Sequence, residues 1–231
     1  MENGFDPKTY VITIGRSFGS GGGKFAEALG RRLSLPVFNE KLLTRAAQES
    51  NIREDLLRRM DECNDFSMPL VFNTQGLSTP GSFFLYNDNY LSGENLFNVV
   101  AETITELAKK GSLILVGRCS DFILRDHPNL LSVFVTEKKE LRLQRIMERV
   151  PGVKSPAEAE EYMVKADKQR RQYYNFYTGR RWGRCENYDV SFKLSELGTE
   201  YAIDFLVSLL ERKNFPLGSS PCSDPGSADG K

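Results

Sequence analysis

The chain carries one histidine, His127, and four cysteines, Cys63, Cys119, Cys185 and Cys222, with no C-x-x-C pair among them. A single histidine excludes histidine-based catalytic triads and multi-histidine metal sites. Widely spaced cysteines argue against a zinc site and fit thiols kept reduced in the cytoplasm. Net charge is also missing: 31 Lys and Arg balance 31 Asp and Glu, so no global field attracts nucleic acid or an anionic membrane. No apolar run approaches the ~18 residues that span a bilayer, and the opening MENGFDPKTY resembles no signal peptide. The expectation is a cytoplasmic protein without a membrane partner. With 40% hydrophobic and 27% charged residues, a chain of 231 can bury one sizeable core.

Glycine, by contrast, is concentrated at one place. Residues Tyr10–Leu33 read YVITIGRSFGSGGGKFAEALGRRL. A β-branched run (Val11-Ile12-Thr13-Ile14) meets a glycine-rich loop that passes into an amphipathic helix with Phe25, Ala28, Leu29 and Leu33 on one face. Strand, glycine loop and helix together hold phosphate: loop amides point inward and the helix N-terminus carries about half a positive charge. Gly19, Ser20, Gly21, Gly22 and Gly23 are the candidate cradle. A plain flexible turn is the alternative, although glycine in a helix's first turn costs up to about 1 kcal/mol against alanine. The loop departs from the regular G-x-x-x-x-G-K-[ST] pattern. Its lysine slot falls on Gly22 and the adjacent magnesium-side hydroxyl slot on Gly23, with Lys24 one residue beyond. Lys24, from the first helical turn, and Arg16, from the strand end, are the two cations within reach as substitutes.

Alternation of strands and helices continues along the chain. Leu35–Phe38 reads as a second strand, and helical pattern follows over Glu40–Ser50 and Arg53–Glu62. Asn64–Ser92 is polar and glycine/proline-marked yet rich in aromatics, which reads as an irregular arm or lid. A helix from about Glu94 to Gly111 precedes the apolar strand Leu113–Gly117, and Leu131–Thr136 is another strand. Helices are predicted over Glu137–Arg149 and Pro156–Tyr174, a last strand over Tyr188–Leu194 and a closing helix over Glu196–Lys213. The reading is a single α/β domain over 1–214. A disordered Ser/Pro/Gly-rich tail over 215–231 completes it.

Arg118 follows the third strand's carboxyl end, where open α/β sheets bind ligands, and could fork onto a phosphate; pairing with Asp121 or Asp126 at the surface is its bland alternative. A second basic cluster includes Arg142, Arg145, Arg170 and Arg171. Arginines of this kind neutralise a phosphoryl group in transit, or form a solvated helix face. Arg170 and Arg171 cannot both point inward from one helix. Arg171-Gln172-Tyr173-Tyr174 with Phe176, Tyr177 and Trp182 interleaves basic and aromatic residues, a pattern seen in single-strand nucleic-acid binders, but the balanced charge makes nucleic acid the weaker partner. Asn39 either caps the following helix or touches a small acceptor beside the loop.

Six segments in order, ITIGRSFGSGG, LPVFNEKLL, LILVGRCSDFIL, VFVTEKKELRLQRI, YYNFYTGRRWG and ENYDVSFKLSELG, resemble the cytidylate kinase-like family of P-loop kinases. The resemblance implies a three-layer fold on a five-stranded parallel sheet, a helical arm that binds the acceptor, and a lid. It implies ATP with magnesium, and transfer of the γ-phosphoryl group to a nucleoside monophosphate of CMP or dCMP type or a similar small phosphate. Gly19, Ser20, Gly21 and Gly22 would then cradle donor phosphates, with Arg16, Gly23, Arg142 and Arg145 beside them. Arg118, with Asn39 and Asp121, would hold the acceptor. Lys24, Arg118 and Arg170 or Arg171 would carry the transfer. Val116 stands where those kinases have aspartate, and Asn39 where aspartate is frequent. A nucleotide-binding protein without transfer chemistry is the competing function.

Overall fold

The computed structural model describes residues 4–39, 42–43 and 93–218. Five strands form one parallel sheet: β1 Val11–Arg16, β2 Val37–Phe38, β3 Leu113–Val116, β4 Leu130–Thr136 and β5 Val190–Lys193, in the spatial order β2-β3-β1-β4-β5. β1 is central, flanked by β3 and β4, with Ile14 opposite Val116 on one side and Val133 on the other. Side chains alternate between the two faces, as a period of two requires. Ile12, Ile14, Ile114 and Val116 pack toward α1 (Gly22–Leu33) and α7 (Thr199–Arg212), while Val11, Leu113 and Leu115 pack toward α2 (Gly93–Lys110). Both faces are covered, which is why these strands are near-continuous apolar runs. Each fully buried aliphatic side chain contributes on the order of 2 kcal/mol.

Between these lie α3 (Ser120–Ile123), α4 (Lys139–Arg149), α5 (Pro156–Thr178) and α6 (Leu194–Leu197). α5 opens on a capping box: the Ser155 hydroxyl accepts from the Glu158 N–H while the Glu158 carboxylate accepts from the Ser155 N–H. Its first half packs Ala159 and Met163 on Ile146 of α4. The second half crosses above the carboxyl ends of the strands.

The five-stranded parallel sheet matches the sequence expectation, with local differences. β2 is only two residues long, because Pro36 cannot donate to the ladder, although its carbonyl accepts from Ile114 N–H at 2.9 Å. The single closing helix predicted over Glu196–Lys213 is two, α6 and α7, broken at Gly198 in left-handed backbone. Because α6 begins at Leu194, β5 is shorter than predicted. Phe215, assigned to the disordered tail, instead packs in the core 6.1 Å from the Tyr10 ring, with Leu217 beside it; hydrophobic burial overrides the polar composition around it. Asn39 is followed by helix, and its Oδ1 accepts from Leu42 N–H at 3.1 Å, so the capping reading is the one observed. The predicted helices over Glu40–Ser50 and Arg53–Glu62, the arm Asn64–Ser92 and residues 219–231 lie largely or wholly outside the described residues.

Candidate functional site

The loop Ser17–Gly21 sits above the sheet's centre, and its shape is imposed by arginines. Arg142 Nε donates to the Phe18 carbonyl at 2.6 Å, and Arg145 Nη1 donates to the carbonyls of Ser20 at 2.8 Å and Gly19 at 3.3 Å. Arg170 Nη1 donates to the Arg16 carbonyl at 3.1 Å. In a trans peptide the next N–H points opposite to the carbonyl. With the Phe18 and Ser20 carbonyls drawn outward, the Gly19 and Gly21 N–H groups turn inward. Gly19 and Gly21 have φ of 75° and 87°, backbone that glycine adopts without strain. The Ser20 hydroxyl, fully buried, accepts from Gly22 N–H at 3.3 Å. Beyond it, the N–H groups of Gly23 and Lys24 open the first turn of α1 with no carbonyl ahead of them to bond. Backbone donors of a glycine loop and a helix N-terminus are the groups with which a protein can hold an anion.

Two carboxylates brace the arginines. Asp167 of α5 pairs with Arg142 and also accepts from Phe18 N–H at 2.8 Å. Glu137, at the end of β4, lies 3.5 Å from Arg145 and accepts from the N–H groups of Lys138 at 2.8 Å and Ser195 at 2.9 Å. Burial raises the Glu137 carboxyl pKa, but the bonds from Ser195 and Lys138, with Arg145 nearby, outweigh that and hold it below the usual carboxylate range. Arg142 and Arg145, grouped in the sequence reading with the donor phosphates, thus make loop and carboxylate contacts. Asp167, Arg170, Tyr173, Tyr174 and Tyr177 share one face of α5. Arg170 stacks 5.2 Å from the Phe18 ring, while Arg171 is exposed. Helical periodicity does not permit both to face the loop.

On one side of the loop, beyond β3, stands Arg118. It is buried, not a surface residue, and it belongs to a run of three left-handed residues, Gly117, Arg118 and Cys119. Strain of this kind costs about 1–3 kcal/mol per non-glycine residue and concentrates at functional sites. Its guanidinium lies 5.3 Å from the Tyr173 ring, within an aromatic group that includes Phe97 stacked on Tyr177 at 4.1 Å. Asp121 does not pair with Arg118: its carboxylate accepts from the Tyr174 hydroxyl at 2.7 Å. Burial raises its pKa, partly opposed by that hydrogen bond. Burial also pushes the Cys119 thiol up, so it is no nucleophile.

On the other side, beyond β4, a cavity of about 230 Å³ lies between the first turn of α1, α4 and the turn from α6 to α7. Gly21, Lys24, Phe25, Arg145, Arg149, Leu194, Gly198 and Thr199 line it. Lys24 faces this cavity and not the β3 side, which its position in the sequence did not reveal. The loop therefore separates the buried Arg118 from this cavity. The brace Glu137 escaped the sequence reading as a site residue, because it belongs to no spacing pattern; only the Ser195 amide, distant in sequence, gives it a role.

The magnesium-side positions do not fit a protein-held divalent ion. Gly23 leaves the hydroxyl slot without a side chain and Val116 puts an apolar side chain at the carboxylate slot. The described residues contain no cluster of three or more His, Cys, Asp or Glu suited to a metal, and none of their helices is long and apolar enough to cross a membrane.

Comparison with known proteins agrees with this architecture. A solved structure of an uncharacterised protein from Eubacterium ventriosum is similar at TM-score 0.65 with 26% identity, covering 87% of this chain and 98% of that one. Shikimate kinase from Bacteroides thetaiotaomicron is similar at TM-score 0.48 and 15% identity, over 88% of this chain and 99% of its own. A gluconokinase from Sinorhizobium meliloti matches at TM-score 0.48 and 16% identity, over 90% and 97%. No curated protein matches the chain. The sequence model of the cytidylate kinase-like family matches residues 11–196, and the chain belongs to that family.

Proposed function

We propose that the protein is a phosphotransferase that moves the terminal phosphoryl group of ATP to a nucleoside monophosphate of CMP or dCMP type or a similar small phosphate ester. The observation that carries the reading is the position of the loop: inward-turned amides lie between a cavity on the β5 side and a buried arginine on the β3 side. That is room for a donor base, its phosphates and an acceptor phosphate in sequence. ATP would supply a phosphoanhydride whose cleavage drives the transfer. Lys24 and Arg149 at the cavity would meet the donor, and the Gly19 and Gly21 amides would fix its phosphates. Arg118 would hold the acceptor phosphate so that one of its oxygens lies in line with the donor's terminal phosphorus. The oxygen–phosphorus bond forms there as the bond to the bridging oxygen breaks, and the bridging oxygen leaves with the electron pair on the diphosphate. Arg170, held against the loop by its bond to Arg16, would neutralise charge on the group in transit.

No step is assigned to a protein-held magnesium ion, since the residues at its usual positions are Gly23 and Val116. Residues 39–92 are assigned the acceptor-binding arm and 149–184 the lid within one domain that extends past 214 to the packed Phe215 and Leu217, in a cytoplasmic protein without nucleic-acid or membrane partners. A coupled assay of nucleoside diphosphate formation tests the reading, running ATP or GTP with magnesium against CMP, dCMP, UMP, AMP and GMP. Turnover with one acceptor supports it. Tight ATP binding with no turnover on any acceptor favours the second reading, a nucleotide-binding protein without transfer chemistry. The observation behind that second reading is the absence of a side chain at Gly22.

A further inference from the structure

The lysine slot of the loop, Gly22, is empty for a steric reason visible in the fold. A Cβ built on Gly22 would stand 2.7 Å from the Arg16 Cβ and 3.4 Å from its Cγ. A Cβ on Gly117, at the end of β3, would stand 2.1 Å from Arg16 Nη1 and 3.2 Å from its Cζ. The Arg16 side chain therefore starts where a lysine at 22 would start, and its guanidinium ends over Gly117, next to Arg118 in sequence. β1 and β3 are neighbours with Ile14 opposite Val116, and the Arg16 guanidinium reaches the left-handed turn after β3 that carries Gly117 and Arg118. The other candidate substitute, Lys24, is exposed and lines the cavity on the far side of the loop.

We propose that Arg16 supplies the positive charge that the loop's missing lysine would carry, contacting the donor's terminal phosphate oxygens where they approach Arg118. Gly22, crowded by the Arg16 stem and by Val135 Cβ at 3.3 Å, leaves room for that stem, and Gly117, already in left-handed backbone, leaves room for the guanidinium. The cation has been moved from the start of the helix to the end of the strand, and the exchange has a chemical consequence. A guanidinium offers two parallel N–H donors to one phosphate, where an ammonium is a point charge. The inference rests on the phosphotransferase reading and names the residue that completes it.

The test uses the full chain with Arg16→Met, Arg16→Lys and the exchange Arg16→Gly with Gly22→Lys. ATP affinity is measured by calorimetry, turnover by the coupled assay and folding by thermal midpoint. Arg16→Met preserves an unbranched stem over Gly22 but removes the charge. It is expected to lower ATP affinity at least tenfold and turnover at least a hundredfold, with Arg16→Lys recovering part of both. The exchange variant is expected to bind ATP more tightly than Arg16→Met, because a lysine at 22 fits once Arg16 is gone. ATP affinity and turnover in Arg16→Met within twofold of wild type would overturn the assignment and leave the phosphotransferase reading standing. If Arg16→Met does not fold, Arg16→Lys decides: affinity below wild type sustains the proposal, and equal affinity and turnover overturn it. Wild-type chain that binds no ATP overturns both.

Discussion

Arg118 is an expensive residue to place. It is a buried cation in left-handed backbone, next to a second left-handed residue, Cys119, and fold stability gains nothing obvious from either. Its aromatic neighbour Tyr173, raised in pKa chiefly by burial, walls the guanidinium from one side. We expect Arg118→Ala to raise the acceptor KM at least tenfold while ATP affinity stays within twofold of wild type, measured by steady-state kinetics and calorimetry. Equal losses on both substrates would instead give Arg118 a structural part.

At the scale of elements, α5 is a crossbeam. Its N-terminal half is packed on α4, and its C-terminal half reaches across the loop to β3 through Asp167, Arg170, Tyr173 and Tyr174. Asp167 joins three elements, accepting from the loop at Phe18 and pairing with Arg142 of α4, with both ion-pair side chains largely buried. Removing one charge of such a pair leaves the other uncompensated, at about 3 kcal/mol or more. Asp167→Ala should therefore lower the urea unfolding free energy by about that amount and weaken ATP binding, because the Phe18 N–H loses its acceptor. The far end of the same helix provides a contrast. Ser155→Ala removes the cap at a cost of about 1 kcal/mol, and because Ser155 touches no part of the loop, ATP affinity should stay unchanged. A matching loss of affinity in both variants would show that α5 stability as a whole, and not the Asp167 contact, shapes the loop.

At the scale of the whole molecule, pH acts through the chain's one histidine. His127 is buried against Phe5 at 4.6 Å between ring centroids, its Nδ1 accepts from Asn129 N–H at 3.1 Å, and its Nε2 has no partner among the described residues. Burial lowers its pKa from 6.5 to about 4. The unfolded chain takes up the proton first, so stability is highest above pH 6.5 and falls as pH drops toward 4, by about 3 kcal/mol in all. Glu137 and Asp189, both held below the ordinary carboxylate range, contribute stability above their unfolded pKa values that is lost only in stronger acid. Urea denaturation at pH 7.5 and 5 should show the histidine's share, and His127→Asn should flatten that interval. A wild-type curve that is already flat there would mean the imidazole is not held neutral.

Sequence alone determined the class of fold, because parallel strands covered on both faces must be apolar runs, and Val11–Ile14 and Leu113–Val116 are such runs separated by helical periodicity. It also marked Gly19–Gly22 as the candidate anion cradle, since strand, glycine run and helix form a local unit whose donors are its own backbone. The capping role of Asn39 was legible for the same reason: its partner is three residues away. Tertiary structure decided everything that links positions far apart in the chain. It directed Arg142 and Arg145 to the loop carbonyls, turned Arg170 inward and Arg171 out, placed Lys24 on the cavity side, and buried Phe215 on Tyr10. It also laid Arg16 across Gly22 and Gly117. Such contacts depend on strand order and on the crossing of α5 over the sheet, which no local spacing encodes.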